Sequence, residues 1–107
     1  MSAITTHVLD TSRGIPAAGI RVALEVRFPD GAWQSLGKAV TDSDGRARNL
    51  LPEGVELTEA VYRLTFVNLP DGLYPEIAIT FRVRDASRPY HIPLLVSPYG
   101  YTTYRGT

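Results

Sequence analysis

The sequence predicts an all-β, antiparallel sandwich of about eight strands. Three observations predict it. Apolar and polar residues alternate with a period of two in several segments, clusters of Gly, Pro and Asp separate those segments at short intervals, and no segment offers a helix. Taken in order, Ala3 to Leu9 is a weakly alternating strand that runs into the turn signal Arg13-Gly14-Ile15-Pro16. Ile20, Val22, Leu24, Val26 and Phe28 then alternate with Arg21, Ala23, Glu25 and Arg27, the mark of a strand with one buried and one wet face. Pro29-Asp30-Gly31 turns the chain into a weaker strand over Ala32 to Val40, and Asp42-Ser43-Asp44-Gly45 turns it again into a short piece from Arg46 to Leu50. After Pro52-Glu53-Gly54, the residues Tyr62, Leu64 and Phe66 alternate with Arg63 and Thr65. The gap from Asn68 to Glu76 holds Pro70, Gly72 and Pro75, which break helical geometry, so it is expected to be a helix-free turn. Ile77, Ile79, Phe81 and Val83 form the next apolar face, Tyr90, Ile92 and Leu94 another, and Tyr99 to Tyr104 is a weaker final strand.

A chain of 107 residues suffices for one compact domain, residues 1–107, and is short for two. Eleven basic and eleven acidic residues leave no net field for nucleic acid or an anionic membrane surface, so neither is an expected partner. The absence of cysteine removes disulfides, thiolate catalysis and sulfur-ligated metals, and fits a reducing compartment. Met1 to His7 lacks the basic and apolar regions of a secretory signal, and no apolar run approaches the ~20 residues of a membrane helix. The expectation is a soluble, cytoplasmic protein.

The chemistry available is narrow. The chain has two histidines, His7 and His91, both in strand segments. Parity puts His91 opposite Tyr90, Ile92 and Leu94, on the outer face, whereas His7 shares its side with Ala3 and Leu9 and its parity is ambiguous. On residue types alone, two surface histidines without function are the plainer reading. Two histidines do not make a zinc site by themselves, since one takes about three or four ligands, so a metal would need help from carboxylates. Thr41-Asp42-Ser43-Asp44-Gly45-Arg46 resembles the start of a calcium loop but lacks its later ligands, and reads as a β-turn followed by a lone arginine. No serine sits in a Gly-x-Ser-x-Gly elbow, so catalysis would need an activated water.

Thr6-His7-Val8-Leu9-Asp10 with Gly14-Ile15-Pro16-Ala17-Ala18-Gly19 resembles the N-terminal signature of the transthyretin-related 5-hydroxyisourate hydrolases. Thr41 to Arg46, Tyr62 to Phe66, Tyr74-Pro75-Glu76-Ile77, Tyr90-His91-Ile92-Pro93-Leu94-Leu95 and Tyr99 to Thr107 resemble the family's later blocks, in order and over almost the whole chain. The resemblance implies a transthyretin-like sandwich, assembled as a homotetramer, a dimer of dimers with a channel between them. It implies hydrolysis of 5-hydroxyisourate to 2-oxo-4-hydroxy-4-carboxy-5-ureidoimidazoline in urate degradation, without cofactor or metal. The family's catalytic residues map onto His7, Arg46, His91 and Thr107, and its substrate-binding residues onto His7, Arg46, Tyr104, Arg105 and Gly106. The chain departs from the family pattern twice. Thr107 stands where the family has Ser, and the segment 68–76 is shorter than the family's, so its short helix is expected to be absent. Two other readings share the fold: a non-catalytic transthyretin-like carrier of small ligands, and a structural sandwich module. In the carriers the histidines and the Tyr-Arg-Gly ending are replaced, while structural modules come in tandem and are exported.

Overall fold

In the computed structural model, which describes residues 3–107, nine strands form two sheets. They are β1 (Ile4–Asp10), β2 (Ile15–Pro16), β3 (Arg21–Arg27), β4 (Trp33–Val40), β5 (Arg46–Ala47), β6 (Val61–Val67), β7 (Glu76–Arg82), β8 (Tyr90–Ser97) and β9 (Gly100–Thr103). One sheet has the order β2-β1-β8-β9, with the short β5 also paired to β1, and the other has the order β4-β3-β6-β7. The alternating segments became strands because each puts one apolar face against the opposite sheet. Leu24, Tyr62, Leu64, Phe66 and Ile77 of one sheet pack in the same core as Ile4, Val8, Ile92 and Leu94 of the other. Burying each such side chain contributes about 1.5–3 kcal/mol.

The sandwich expected to be antiparallel contains one parallel pair. β1 and β8 run side by side in the same direction from Ile4↔Tyr90 to Asp10↔Val96. Alternation specifies which face of a strand is buried and carries no information on its direction, so this pairing was not readable from the pattern. The loop between β6 and β7 is free of helix, as expected. Asn68 takes a positive φ of 63° and donates from Nδ2 to the Gly19 carbonyl at 2.9 Å. The Leu73 N–H donates to the Pro98 carbonyl at 2.7 Å, and the Tyr74 ring meets Tyr101 edge-on with centroids 5.3 Å apart.

The inward set of β1 is Ile4, Thr6, Val8 and Asp10, two of them polar. Both polar groups are satisfied: Thr6 Oγ1 donates to the Ile92 carbonyl at 2.5 Å, and Asp10 Oδ1 accepts the N–H groups of Ser12 and Arg13 at 3.1 and 3.2 Å. With these four turned inward, Thr5, His7 and Leu9 face out. On β8, inward Tyr90, Ile92, Leu94 and Val96 leave His91, Pro93 and Leu95 on the outer side, where Pro93 is nonetheless buried. Both histidines therefore stand on the same outer face of the same sheet.

Candidate active site

The pairing register arranges that outer face in rows. His7 is the cross-strand partner of Arg46 on β5 and of Pro93 on β8, and one row along, Thr5 is the partner of His91. His7 and His91 are thus diagonal neighbours, which at ordinary strand spacing and rise separates their Cα atoms by roughly 8 Å. Two imidazoles and a guanidinium in this arrangement can reach one small planar molecule lying on the sheet.

The turn from Thr41 to Gly45 holds Arg46 in place. Asp42 Oδ1 accepts the N–H groups of Asp44 and Arg46 at 2.9 and 3.0 Å, and Oδ2 accepts Arg48 Nη1 at 3.2 Å. The Arg46 amide, ahead of the other donors, holds the Asp42 carboxyl below its usual range. Gly45 is buried, with φ +77°, and a Cβ there would lie 2.4 Å from the Val8 carbonyl oxygen. The same Gly45 carbonyl accepts the Val8 N–H at 2.7 Å. Only glycine lets the turn lie this close to β1, and this contact sets Arg46 beside His7. Gly45→Ala is expected to cost at least about 1–3 kcal/mol through the positive φ and the backbone clash. Chemical denaturation would check this, and an unchanged midpoint would show that the turn relaxes freely.

Each histidine has a distinct orienting partner. His7 Nε2 lies 2.7 Å from the Asp44 carbonyl oxygen, which can only accept, so Nε2 carries the proton and Nδ1 is the edge free to exchange one. His91 Nδ1 lies 2.8 Å from Thr5 Oγ1, and its Nε2 makes no hydrogen bond among the described residues. Partial burial first, then the positive fields of Arg46 and His7, hold the His91 pKa below the ordinary histidine value of 6.5. His91 is accordingly neutral at pH 7, and Arg46 forms no ion pair among the described residues. A ring nitrogen without a partner and an uncommitted guanidinium suit, respectively, a proton-transfer group and a holder of negative oxygen. No group of three or more His, Asp or Glu side chains among the described residues gathers as a metal-binding set.

An open cleft of about 800 Å³ lies over this face, lined by Thr5, Arg46 and His91 on the sheet and by Arg48, Asn49 and Glu53 from the loop after β5. The strand predicted from Arg46 to Leu50 ends at Ala47, after which Leu50 plugs the core and the chain bends over the cleft. Thr5 and the residues 48–53 were not among the predicted site residues. Thr5 was findable, since it stands two residues before His7 on the same face of one strand.

The end of the chain runs beside this face, although neither it nor His7 lines the cleft itself. β9 pairs with β8 in a register that runs from Ser97↔Gly100 to Leu94↔Thr103 and resumes at His91↔Gly106, where the Gly106 N–H donates to the His91 carbonyl at 2.8 Å. Pro93 has no N–H to offer, which accounts for the gap at Tyr104. In this register Tyr104 and Gly106 share the outer face with Pro93 and His91. A Cβ on Gly106 would come within 2.5 Å of His91 Cδ2, so the glycine lies flat against the imidazole. Arg105, the residue between them, turns away from the cleft. Its guanidinium sits 4.0 Å from the Tyr90 ring centroid, and Nη2 donates to the Pro89 carbonyl at 3.3 Å. Tyr104 and Thr107 are both exposed. Of the predicted site residues, His7, Arg46, His91, Tyr104 and Gly106 therefore share one sheet face, Thr107 follows Gly106, and Arg105 fastens the segment from the side.

The model of the HIUase/Transthyretin family matches residues 4–106. The chain belongs to that family. It is 41% identical over 115 residues to 5-hydroxyisourate hydrolase 2 of Rhizobium meliloti (strain 1021), covering 97% of this chain and 95% of the relative. Of one longer relative that it matches, it spans 37%. Among solved structures, 5-hydroxyisourate hydrolase of Klebsiella pneumoniae superposes with a TM-score of 0.81 at 29% identity, over 99% of this chain and 100% of that one. Sea bream transthyretin in complex with thyroxine superposes with a TM-score of 0.85 at 25% identity, over 98% and 95%. The family's fold thus serves both a named hydrolase and a protein solved in complex with thyroxine, and the side chains on the sheet face have to decide between them.

Proposed function

We propose that this chain hydrolyses 5-hydroxyisourate in urate degradation, and that His7, Arg46 and His91 carry the reaction. The observation that carries the reading is the gathering of two differently oriented imidazoles and an uncommitted guanidinium on one sheet face, next to an open cleft lined by Arg46 and His91. The hydrolase names of the Rhizobium and Klebsiella relatives supply the substrate. In this reading His91 Nε2 takes a proton from water as it attacks the ring carbonyl, and Arg46 stabilises the negative charge that develops on that carbonyl's oxygen. The ring C–N bond then breaks, the proton taken up by His91 passes to the leaving nitrogen, directly or relayed through the free Nδ1 of His7, and the new carboxyl group yields 2-oxo-4-hydroxy-4-carboxy-5-ureidoimidazoline. Tyr104 and Gly106 form the wall against which the flat heterocycle lies, with Thr107 close by, and Arg105 contributes by holding that wall rather than by touching substrate. Purified protein should accelerate the decay of freshly generated 5-hydroxyisourate, followed by ultraviolet absorbance.

We further propose that the working form is a homotetramer, in which a second copy closes the cleft. The open outer face that bears the site, and the unpaired edges of β9 and β7, support this. Sedimentation at micromolar concentration should give a mass of about four chains. A stable, fully active monomer would rule out a shared site.

A further inference from the structure

We propose that Thr5 is a positioning residue for His91: its hydroxyl accepts the Nδ1–H of that ring and thereby holds the Nε2 lone pair toward the cleft. The inference rests on the reading of His91 as proton acceptor, and it concerns a residue that the family's catalytic pattern, as mapped onto this chain, does not include.

The geometry that carries it is local and specific. Thr5 and His91 are cross-strand partners in the parallel β1–β8 pair, and Thr5 Oγ1 lies 2.8 Å from Nδ1. Gly106 lies against the opposite, Cδ2 edge of the ring. The imidazole is therefore held between a hydroxyl and a backbone wall, and its Nε2 has no partner among the described residues. A threonine hydroxyl can donate or accept, so the direction of the bond needs an argument. If Oγ1 donated to Nδ1, the bond would be lost whenever the ring took up a proton, because imidazolium donates from both nitrogens. If Nδ1–H donates to Oγ1, the same bond persists in the neutral and protonated ring, and the imidazole stays oriented through a full cycle of proton uptake and release. The second arrangement is the one compatible with a base that works repeatedly from Nε2.

The choice of a hydroxyl rather than a carboxylate also has a consequence. A carboxylate beside Nδ1 would stabilise the imidazolium and raise its pKa, whereas a neutral acceptor fixes the ring with a much weaker effect on its charge. The charged and titratable groups that face His91 are Arg46 on β5, His7 on β1, Tyr104 on the same outer face, and Arg48 and Glu53 across the cleft; Arg105 is engaged with Tyr90. Thr5 thus supplies tautomer control in a site whose nearest charges are positive.

The experiment compares the parent protein with Thr5→Val, which keeps the β-branched shape, and Thr5→Ser, which keeps the hydroxyl. Nitrogen-15 NMR of the His91 imidazole in the substrate-free protein reads the tautomer directly. The parent should show the proton on Nδ1, Thr5→Ser the same, and Thr5→Val a shift toward Nε2–H. In turnover, Thr5→Val should lower kcat about 10- to 100-fold with little change in KM, and Thr5→Ser should recover most of it, since part of a general-base contribution of ~100- to 10,000-fold is at stake. The residual activity of Thr5→Val should also hold to lower pH than the parent's, because an acceptor that favours the protonated ring has been removed. An Nε2–H tautomer in the parent would overturn the proposal. So would a Thr5→Val protein with parental tautomer and parental kcat. If Thr5→Val does not fold, the parent's tautomer decides alone. Because the tautomer is read without substrate, a failure of the hydrolase reading and a failure of this one give different results.

Discussion

Deletion of Tyr104 to Thr107 is expected to abolish 5-hydroxyisourate hydrolysis while both sheets remain folded. The segment begins after β9 ends at Thr103, and none of its side chains belongs to the buried core. What the deletion removes is the Gly106 hydrogen bond to the His91 backbone, the glycine surface against the His91 ring, the Tyr104 side of the wall and the Arg105 stack on Tyr90. Substrate positioning and the orientation of the proposed base are lost together, and positioning alone accounts for about 7–11 kcal/mol of the barrier in well-oriented reactions. Circular dichroism and a cooperative melt should show the sandwich intact. A folded deletion variant that retains near-parental turnover would mean that the tail is not a wall of the site. Thr107→Ser, by contrast, should be nearly neutral, because the hydroxyl is kept.

Substitution within the triad is expected to cost nearly as much. Each of His7→Ala, Arg46→Ala and His91→Ala should lower turnover at least ~100-fold, since a positioned acid or base is worth ~100- to 10,000-fold and a charged donor at a developing oxyanion a similar amount. Thermal stability should change little, because the three side chains face out from the sheet and surface substitutions mostly stay within about 0.5 kcal/mol. The pH dependence follows from the direction of the His91 shift. Burial, and then the Arg46 and His7 charges, lower its pKa below 6.5, so the neutral base persists as pH falls through that value and is lost only at lower pH. Arg46→Ala removes one of the positive neighbours and should move the His91 titration upward. NMR titration of the His91 ring in the parent and in Arg46→Ala checks both statements, and a His91 midpoint at or above 6.5 in the parent would contradict them.

The parts of this structure that were legible in the sequence are those where burial alone decides. Leu24, Tyr62, Leu64, Phe66, Ile77, Tyr90, Ile92 and Leu94 were read as inward from their period of two, and all are buried. Phe28 was read with them but is 45% exposed, because β3 ends at Arg27 and Phe28 begins a turn closed by its own N–H to the Ala32 carbonyl. The two-residue β2 was missed since Ile15 and Pro16 read as turn residues, and no period can be seen in two positions. The face of His7 was unreadable for a different reason. Half of the inward set of β1 is polar, and Thr6 and Asp10 are buried because they hydrogen-bond the backbone of other segments, which a hydrophobicity pattern does not register. Likewise, the rows that bring Arg46 beside His7 and Thr5 beside His91 depend on strand register and on the parallel direction of β8. The residues of the site could be named from family likeness, but their mutual geometry required the pairing.

The central claim is that this sheet face performs hydrolysis rather than only holding a ligand, and one measurement addresses it most directly. The decay of freshly generated 5-hydroxyisourate should be followed by ultraviolet absorbance with the parent protein, with His91→Ala, and in buffer alone. The parent is expected to accelerate decay far beyond the buffer rate, and the folded His91→Ala protein to lose at least ~100-fold of that acceleration. Decay in the presence of the parent at the buffer rate, or equal acceleration by parent and His91→Ala, would contradict the account.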